Sequence, residues 1–319
     1  MTGVQTCALP ISGPGEQVTY QWYAGVIEQR PASGPSSKRN IELVATPIEF
    51  GGFNLMPTDK LEQPQKGLVG AGVIYPQGSS WSVDAGTTTV ATVESGLGGT
   101  FRDFTTIAQK GTSLFYADSY PVENIEGEGD FGVAEDAQDM GHQAINWGTE
   151  PLWFRFGKNP TDGHGLEGID SGDAYSNWLV GGADPETAVF TVRAGTPFRQ
   201  HVLMPTGAGR GSTFALHGHV WQRLPYVCPG SSDLGLPGKC DMGNGHAGSA
   251  GTGEVGSKNL GDNPVAFGQG SIESWFAGSH YEVVIPYAGG KNAVDGDYLF
   301  RDHMGLGNAQ GLWGIVRVE

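Results

Sequence analysis

The stretch DYLFRDHMGLGNAQGLWGIVRVE, Asp297 to Glu319, decides the fold. Tyr298, Phe300 and Asp302 fall on one face of an extended segment and Leu299, Arg301 and His303 on the other, which is the two-residue period of a strand. A Gly-rich turn follows, then a β-branched run from Gly311 to Val318. The spacing predicts a closing β-hairpin. Its Gly-Leu-x-Gly frame recurs in GLVGAGVIYP, Gly67 to Pro76, and the aromatic alternation of GDYLFRDH has its counterpart in VTYQWYAG, Val18 to Gly25. That internal repeat predicts two closing hairpins of one kind, the first interrupted by an excursion from Pro31 to Lys66.

Composition sets the outer bounds. A chain of 319 residues holds one large or two ordinary domains, and 53 Gly with 19 Pro point to a loop-rich, all-β protein. The formal charge is −16, from 34 acids against 18 bases. So acidic a surface argues against nucleic acid or an anionic membrane as partner and is compatible with divalent cations. No apolar run reaches the 18 residues a membrane-spanning helix needs.

The segments between carry further signals. Residues 78 to 86 read as a polar linker, Thr87 to Ser95 as an opening strand and Phe101 to Gly111 as the next. Glu123 to Asp139 holds seven acids and no base; its spacing does not follow a Ca²⁺ loop, and it reads as a solvated acidic loop. Ile145 to Gly157, INWGTEPLWFRFG, reads as a buried strand or a packing surface between domains. AVFTVRAGTPFRQHVLMP, Ala188 to Pro205, gives two strands about a turn. Residues 244 to 258 form a Gly/Ser-rich insertion, and Phe267 to Pro286 returns to strand patterning. Cys228 and Cys240 flank a Pro/Gly loop. They are expected to form a loop-stapling disulfide of an extracytoplasmic protein, two free thiols being the other reading.

The final hairpin resembles the terminal hairpin of a cupredoxin domain in multicopper oxidases, where HCH, three residues and His precede a Gly and an axial Met or Leu. GRGSTFALHGHVWQ, Gly209 to Gln222, resembles the same family's HPxHLHGH motif, and residues 134 to 157 resemble a segment of large bacterial multicopper oxidases of the manganese-oxidising type. The resemblance implies an all-β, cupredoxin-like Greek-key sandwich or barrel. Residues 13–77 would be the C-terminal part of one cupredoxin domain and 78–319 a complete, elaborated second one. Residues 1–12, MTGVQTCALPIS, resemble a translated sequencing adapter of the kind found in metagenomic genes, so a non-native leader and a longer parent chain are expected.

Copper is the cofactor the resemblance implies for the parent, yet most ligand positions have changed. Ser212 replaces the first type 1 His, Asp302 the type 1 Cys and Gly307 the second type 1 His, while Leu312 takes the axial place. Ala215 and Arg301 replace two His of the trinuclear cluster. His217 and His303 keep type 3 positions, and His219 matches a His the family does not use. Asp, Ser and Gly supply neither thiolate nor imidazole, and a guanidinium has no lone pair for a metal. His217, His219 and His303 are the candidate metal ligands, in a residual pocket that strand periodicity allows. The competing reading makes them structural histidines bonded to carbonyls or carboxylates. His142, His164, His201, His246 and His280 show no ligand spacing.

The implied function is that of a scaffold portion of a multicopper-oxidase-like oxidoreductase, partnered by other cupredoxin domains of its parent and by a divalent cation on its acidic surface. A non-enzymatic extracellular β-sandwich protein is the alternative. No catalytic triad, carboxylate pair or phosphate loop is assigned.

Overall fold

The chain is seen as a computed structural model that describes residues 15–17, 19, 21–31, 41–47, 49–57, 59, 63–112, 142–155, 175, 182–207, 212–222, 269–303, 307 and 310–319. Cys228 and Cys240, the acidic run 123–139, the 244–258 insertion and residues 1–12 lie outside these. In chain order the elements are β1 (Gly25–Pro31), β2 (Ile41–Pro47), β3 (Gly51–Leu55), β4 (Gly70–Ile74), β5 (Ser80–Val83), β6 (Val90–Glu94), β7 (Thr100–Thr112) and β8 (His142–Ile145). A four-residue helix, α1 (Leu152–Arg155), comes next. There follow β9 (Val189–Val192), β10 (Phe198–Thr206), β11 (Ser212–Leu216), β12 (Trp221–Gln222), β13 (Gln269–Gly270), β14 (Ile272–Trp275), β15 (His280–Ile285), β16 (Gly296–Asp302) and β17 (Trp313–Val318).

Residues 1–50 and 51–319 form two compact units. In the first, β1 and β2 pair antiparallel from Gly25 opposite Pro47 to Pro31 opposite Ile41. The second unit is a two-sheet sandwich. One sheet runs β15-β10-β7-β6-β5 with β8 beside β7, and the other runs β14-β11-β16-β17-β9. Two pairs are parallel, β7 with β10 and β9 with β17; the remaining pairs are antiparallel. The chain crosses from one sheet to the other between β8 and β9, β9 and β10, β10 and β11, β14 and β15, and β15 and β16. This is the expected all-β, cupredoxin-like Greek-key order.

The core lies where the inner faces meet. Phe104 of β7 stacks on Phe190 of β9 with centroids 4.9 Å apart, and Phe190 on Phe300 of β16 at 5.6 Å. Phe214, Trp275, Leu216, Leu312 and Val316 close around them, all fully buried. Each large apolar side chain so removed from water contributes about 1.5–3 kcal/mol. β10 is buried on both faces, because its outer face is covered by the β3–β4 hairpin.

Several expectations change. Gly67 to Pro76 does contain a strand, but β4 pairs with β3 rather than with the aromatic segment before Gly25. Among the described residues between Gln17 and Ala24 there is no strand; pairing begins at Gly25. The repeated frame keeps its backbone signature all the same, since Gly67 and Gly311 both have positive φ, +78° and +107°. The linker at 78–86 contains β5, an edge strand exposed at all four positions, which is why it reads as polar and irregular. Among its described residues the aromatic block from Ile145 is not a strand beyond the first: Asn146 and Trp147 take positive φ and α1 follows.

Candidate functional site

The hairpin β16–β17 and the strand β11 bring together the positions that the resemblance gives to ligands. Phe214 opposes Asp302 and Ala215 opposes Arg301 across the β11–β16 pair, and Arg301 opposes Trp313 across β16–β17. At the residues that the resemblance aligns with a type 1 site the polar groups are engaged with protein. Lys110 Nζ donates to Ser212 Oγ at 2.7 Å, and the buried Asp302 Oδ1 accepts the Thr213 N–H at 3.0 Å. At Gly307 a Cβ would sit against Asp302 Oδ2 and 2.8 Å from Gln143 Oε1, so no side chain can be added there without displacing both. Leu312 is fully buried in the core. An ammonium, a hydroxyl, a backbone-bonded carboxylate and a leucine do not fit type 1 copper, which needs thiolate and imidazole donors.

At the residues that the resemblance aligns with a trinuclear cluster the expected alternation of β16 holds. Phe300 and Asp302 point inward, while Arg301 is half-buried and His303 exposed. Arg301 Nη2 lies 3.4 Å from His303 Nδ1 and Nη1 lies 3.4 Å from Tyr175 Oη, with the guanidinium 5.8 Å from the Tyr175 ring. The His217 and His303 rings face each other with centroids 6.1 Å apart. Burial, then Arg301 and His303, hold the His217 imidazole below its ordinary pKa.

His219 is turned the other way. β11 ends at Leu216, and Gly218 at φ +71° reverses the backbone, so the two-residue period does not carry from His217 to His219. Its ring is buried against Phe198 and Tyr298 (5.6 and 4.5 Å), Nε2 accepts the Gly289 N–H at 3.1 Å, and burial lowers its pKa. Of the three candidate ligands the structure thus brings His217 and His303 together and places His219 in the core. Among the described residues no group of three or more His, Cys, Asp or Glu is placed to hold a metal.

A second cluster had no motif to mark it. On the outer face of the first sheet, His201 of β10 stands directly opposite Glu282 of β15 and diagonal to Asp103 of β7. His201 Nε2 contacts Asp103 Oδ1 at 2.7 Å, and Nδ1 forms an ion pair with Glu282 Oε2. The hairpin above completes it: the Gly52 N–H donates to Glu282 Oε1 at 2.6 Å and Tyr75 Oη donates to Asp103 Oδ2 at 2.6 Å. Burial alone disfavours a charged imidazole, but the carboxylates of Asp103 and Glu282 outweigh it and raise His201 to about 10. Burial and then Asp103 push the Tyr75 phenol well up, so it stays a donor. An open cavity of about 400 Å³ lies beside the cluster, bordered by Tyr75, Trp81, Trp147 and Asp103.

No protein-family profile matches the chain, and no curated protein does. Solved structures similar to it include Fet3p, a multicopper oxidase that functions in iron import. That match has 14% identity and a TM-score of 0.33, covering 68% of this chain and 31% of that one. Another multicopper oxidase has 10% identity and a TM-score of 0.39, covering 93% and 71%. The copper nitrite reductase of Nitrosomonas europaea has 12% identity and a TM-score of 0.39, covering 94% and 75%. This chain spans less than a third of the length of the Fet3p structure. What assigns the fold class is the strand order itself. No helix among the described residues is long and apolar enough to cross a membrane.

Proposed function

We propose that this chain is the copper-free scaffold portion of a multicopper-oxidase-like oxidoreductase, whose parent couples one-electron oxidation of a metal ion or small substrate to reduction of O₂. One observation carries the reading. The cupredoxin-like frame is retained around positions whose ligand chemistry has been replaced by a packed set, Ser212 held by Lys110 and Asp302 held by the Thr213 N–H, with Leu312 sealed below. A frame kept without its donors is what a domain needs if it packs against catalytic neighbours rather than reacting itself.

On this reading the division at 77/78, the manganese-oxidising affinity of the parent, an extracytoplasmic location and recruitment of a divalent cation by the acidic surface are parts of the same proposal. Copper would be held by other domains of the parent. The test is the gene's upstream sequence, expressed with the present chain. HCHxxxH and HxH pairs there, with copper-dependent O₂ consumption, are the expected result; their absence across the whole gene would favour the non-enzymatic extracellular sandwich.

A further inference from the structure

The chain carries nearly twice as many acids as bases, and Arg102, Arg155 and Arg317 each hold a carboxylate. Arg301 does not. Its only hydrogen-bond partners among the described residues are the Tyr175 hydroxyl and His303 Nδ1, both at 3.4 Å, the far end of hydrogen-bond range, and its Nε is shielded from solvent without a partner. Arg193 also lacks a carboxylate among the described residues, but it is exposed to solvent. A half-buried guanidinium with donors this poorly used is out of place in so acidic a protein.

The neighbours share its polarity. His303 Nδ1 accepts from Arg301, which leaves its Nε2 carrying the proton and free to donate. His217 faces that ring at 6.1 Å, and both imidazoles are exposed. A guanidinium fork flanked by imidazole N–H groups repels a cation and matches the oxygens of an anion, to which Arg binds with two parallel hydrogen bonds. We infer that Arg301, His303 and His217 form a binding site for a small oxyanion, at the face where the resemblance places metal ligands. The inference is independent of what the parent chain does.

The test is a titration of the full chain with inorganic phosphate at fixed pH and constant ionic strength, reading the histidine ring signals by NMR, with acetate as a second arm and chloride as the control. Saturable shifts of the His217 and His303 signals, with His201 unmoved, are expected. Arg301→Gln should abolish saturation and Arg301→Lys should weaken binding several-fold, because a point charge replaces the fork. Saturation by phosphate alone assigns a tetrahedral oxyanion, and saturation by acetate as well assigns carboxylates to the same site. Shifts that chloride reproduces, or that survive Arg301→Gln unchanged, would overturn the inference. Should Arg301→Gln fail to fold, the affinity of Arg301→Lys decides, and an affinity equal to the parent's would overturn it.

Discussion

His201 lies at the centre of a sheet with a carboxylate against each ring nitrogen, whereas His217 and His303 stand exposed beside a guanidinium. The histidine that no motif marks is the one the fold has built around. The two at positions that the resemblance gives to metal ligands are held loosely, His303 by a contact at the edge of hydrogen-bond range and His217 by a ring contact at 6.1 Å. Motif position and structural investment have parted company here. The reason is electrostatic: inside the covered sheet a charge must be matched or not exist, while at the exposed face water can replace a lost ligand.

The largest expected effect comes from removing the centre of the matched cluster. His201→Ala leaves Asp103 and Glu282 buried without their shared cation, and should cost about 3–5 kcal/mol in denaturant unfolding. His217→Ala should leave stability within about 0.5 kcal/mol. Equal losses from the two would break the contrast.

Filling space at the hairpin is expected to cost less. A Cβ on Gly52 would lie 2.9 Å from the His201 Cβ, so Gly52→Ala forces the hairpin off the sheet and should lose about 1–3 kcal/mol. Faster proteolysis within residues 51–74 is the accompanying sign.

The pH dependence sharpens the same comparison. The folded state raises His201 from 6.5 to about 10, so its stabilisation is complete below about 6.5 and is lost as pH rises through about 10. The groups facing it are Asp103, Glu282 and Tyr75, with Arg199 nearby on Phe101 at 4.0 Å. Urea midpoints across that window should fall with pH in the parent, and the part of the fall due to His201 should vanish in His201→Gln.

The smallest effect belongs to the surface. Arg317 bridges Asp184 and Asp297 at 2.7 and 2.8 Å, but these acids are exposed, so Arg317→Ala should cost no more than about 1 kcal/mol and less at high salt.

The strands of the sandwich are legible in the sequence wherever aromatic and β-branched residues alternate, as in Phe300 against Arg301 or throughout β6 and β7. So are Ser212, Asp302 and Gly307 at the positions that the resemblance gives to type 1 donors. The His201 cluster is not, because Asp103, His201 and Glu282 come from three strands far apart in the chain and only register unites them. One signal could have found it: RQHVLMP places polar residues on a strand that reads as apolar on both faces, so they need buried partners. The pairing of β3 with β4 also depends on contacts outside either strand, those of Gly52 and Tyr75 with the cluster. The separation of His219 from His217 turns on a single glycine at positive φ, which a strand period cannot foresee.

Whether the positions that the resemblance gives to ligands take copper is read by elemental analysis and an absorption spectrum of the full chain after loading with copper, beside a His217→Ala, His303→Ala double variant. Copper near zero in both is the expected result. Stoichiometric copper in the unsubstituted chain that disappears in the double variant would overturn the proposal and make the exposed histidine pair a working metal site.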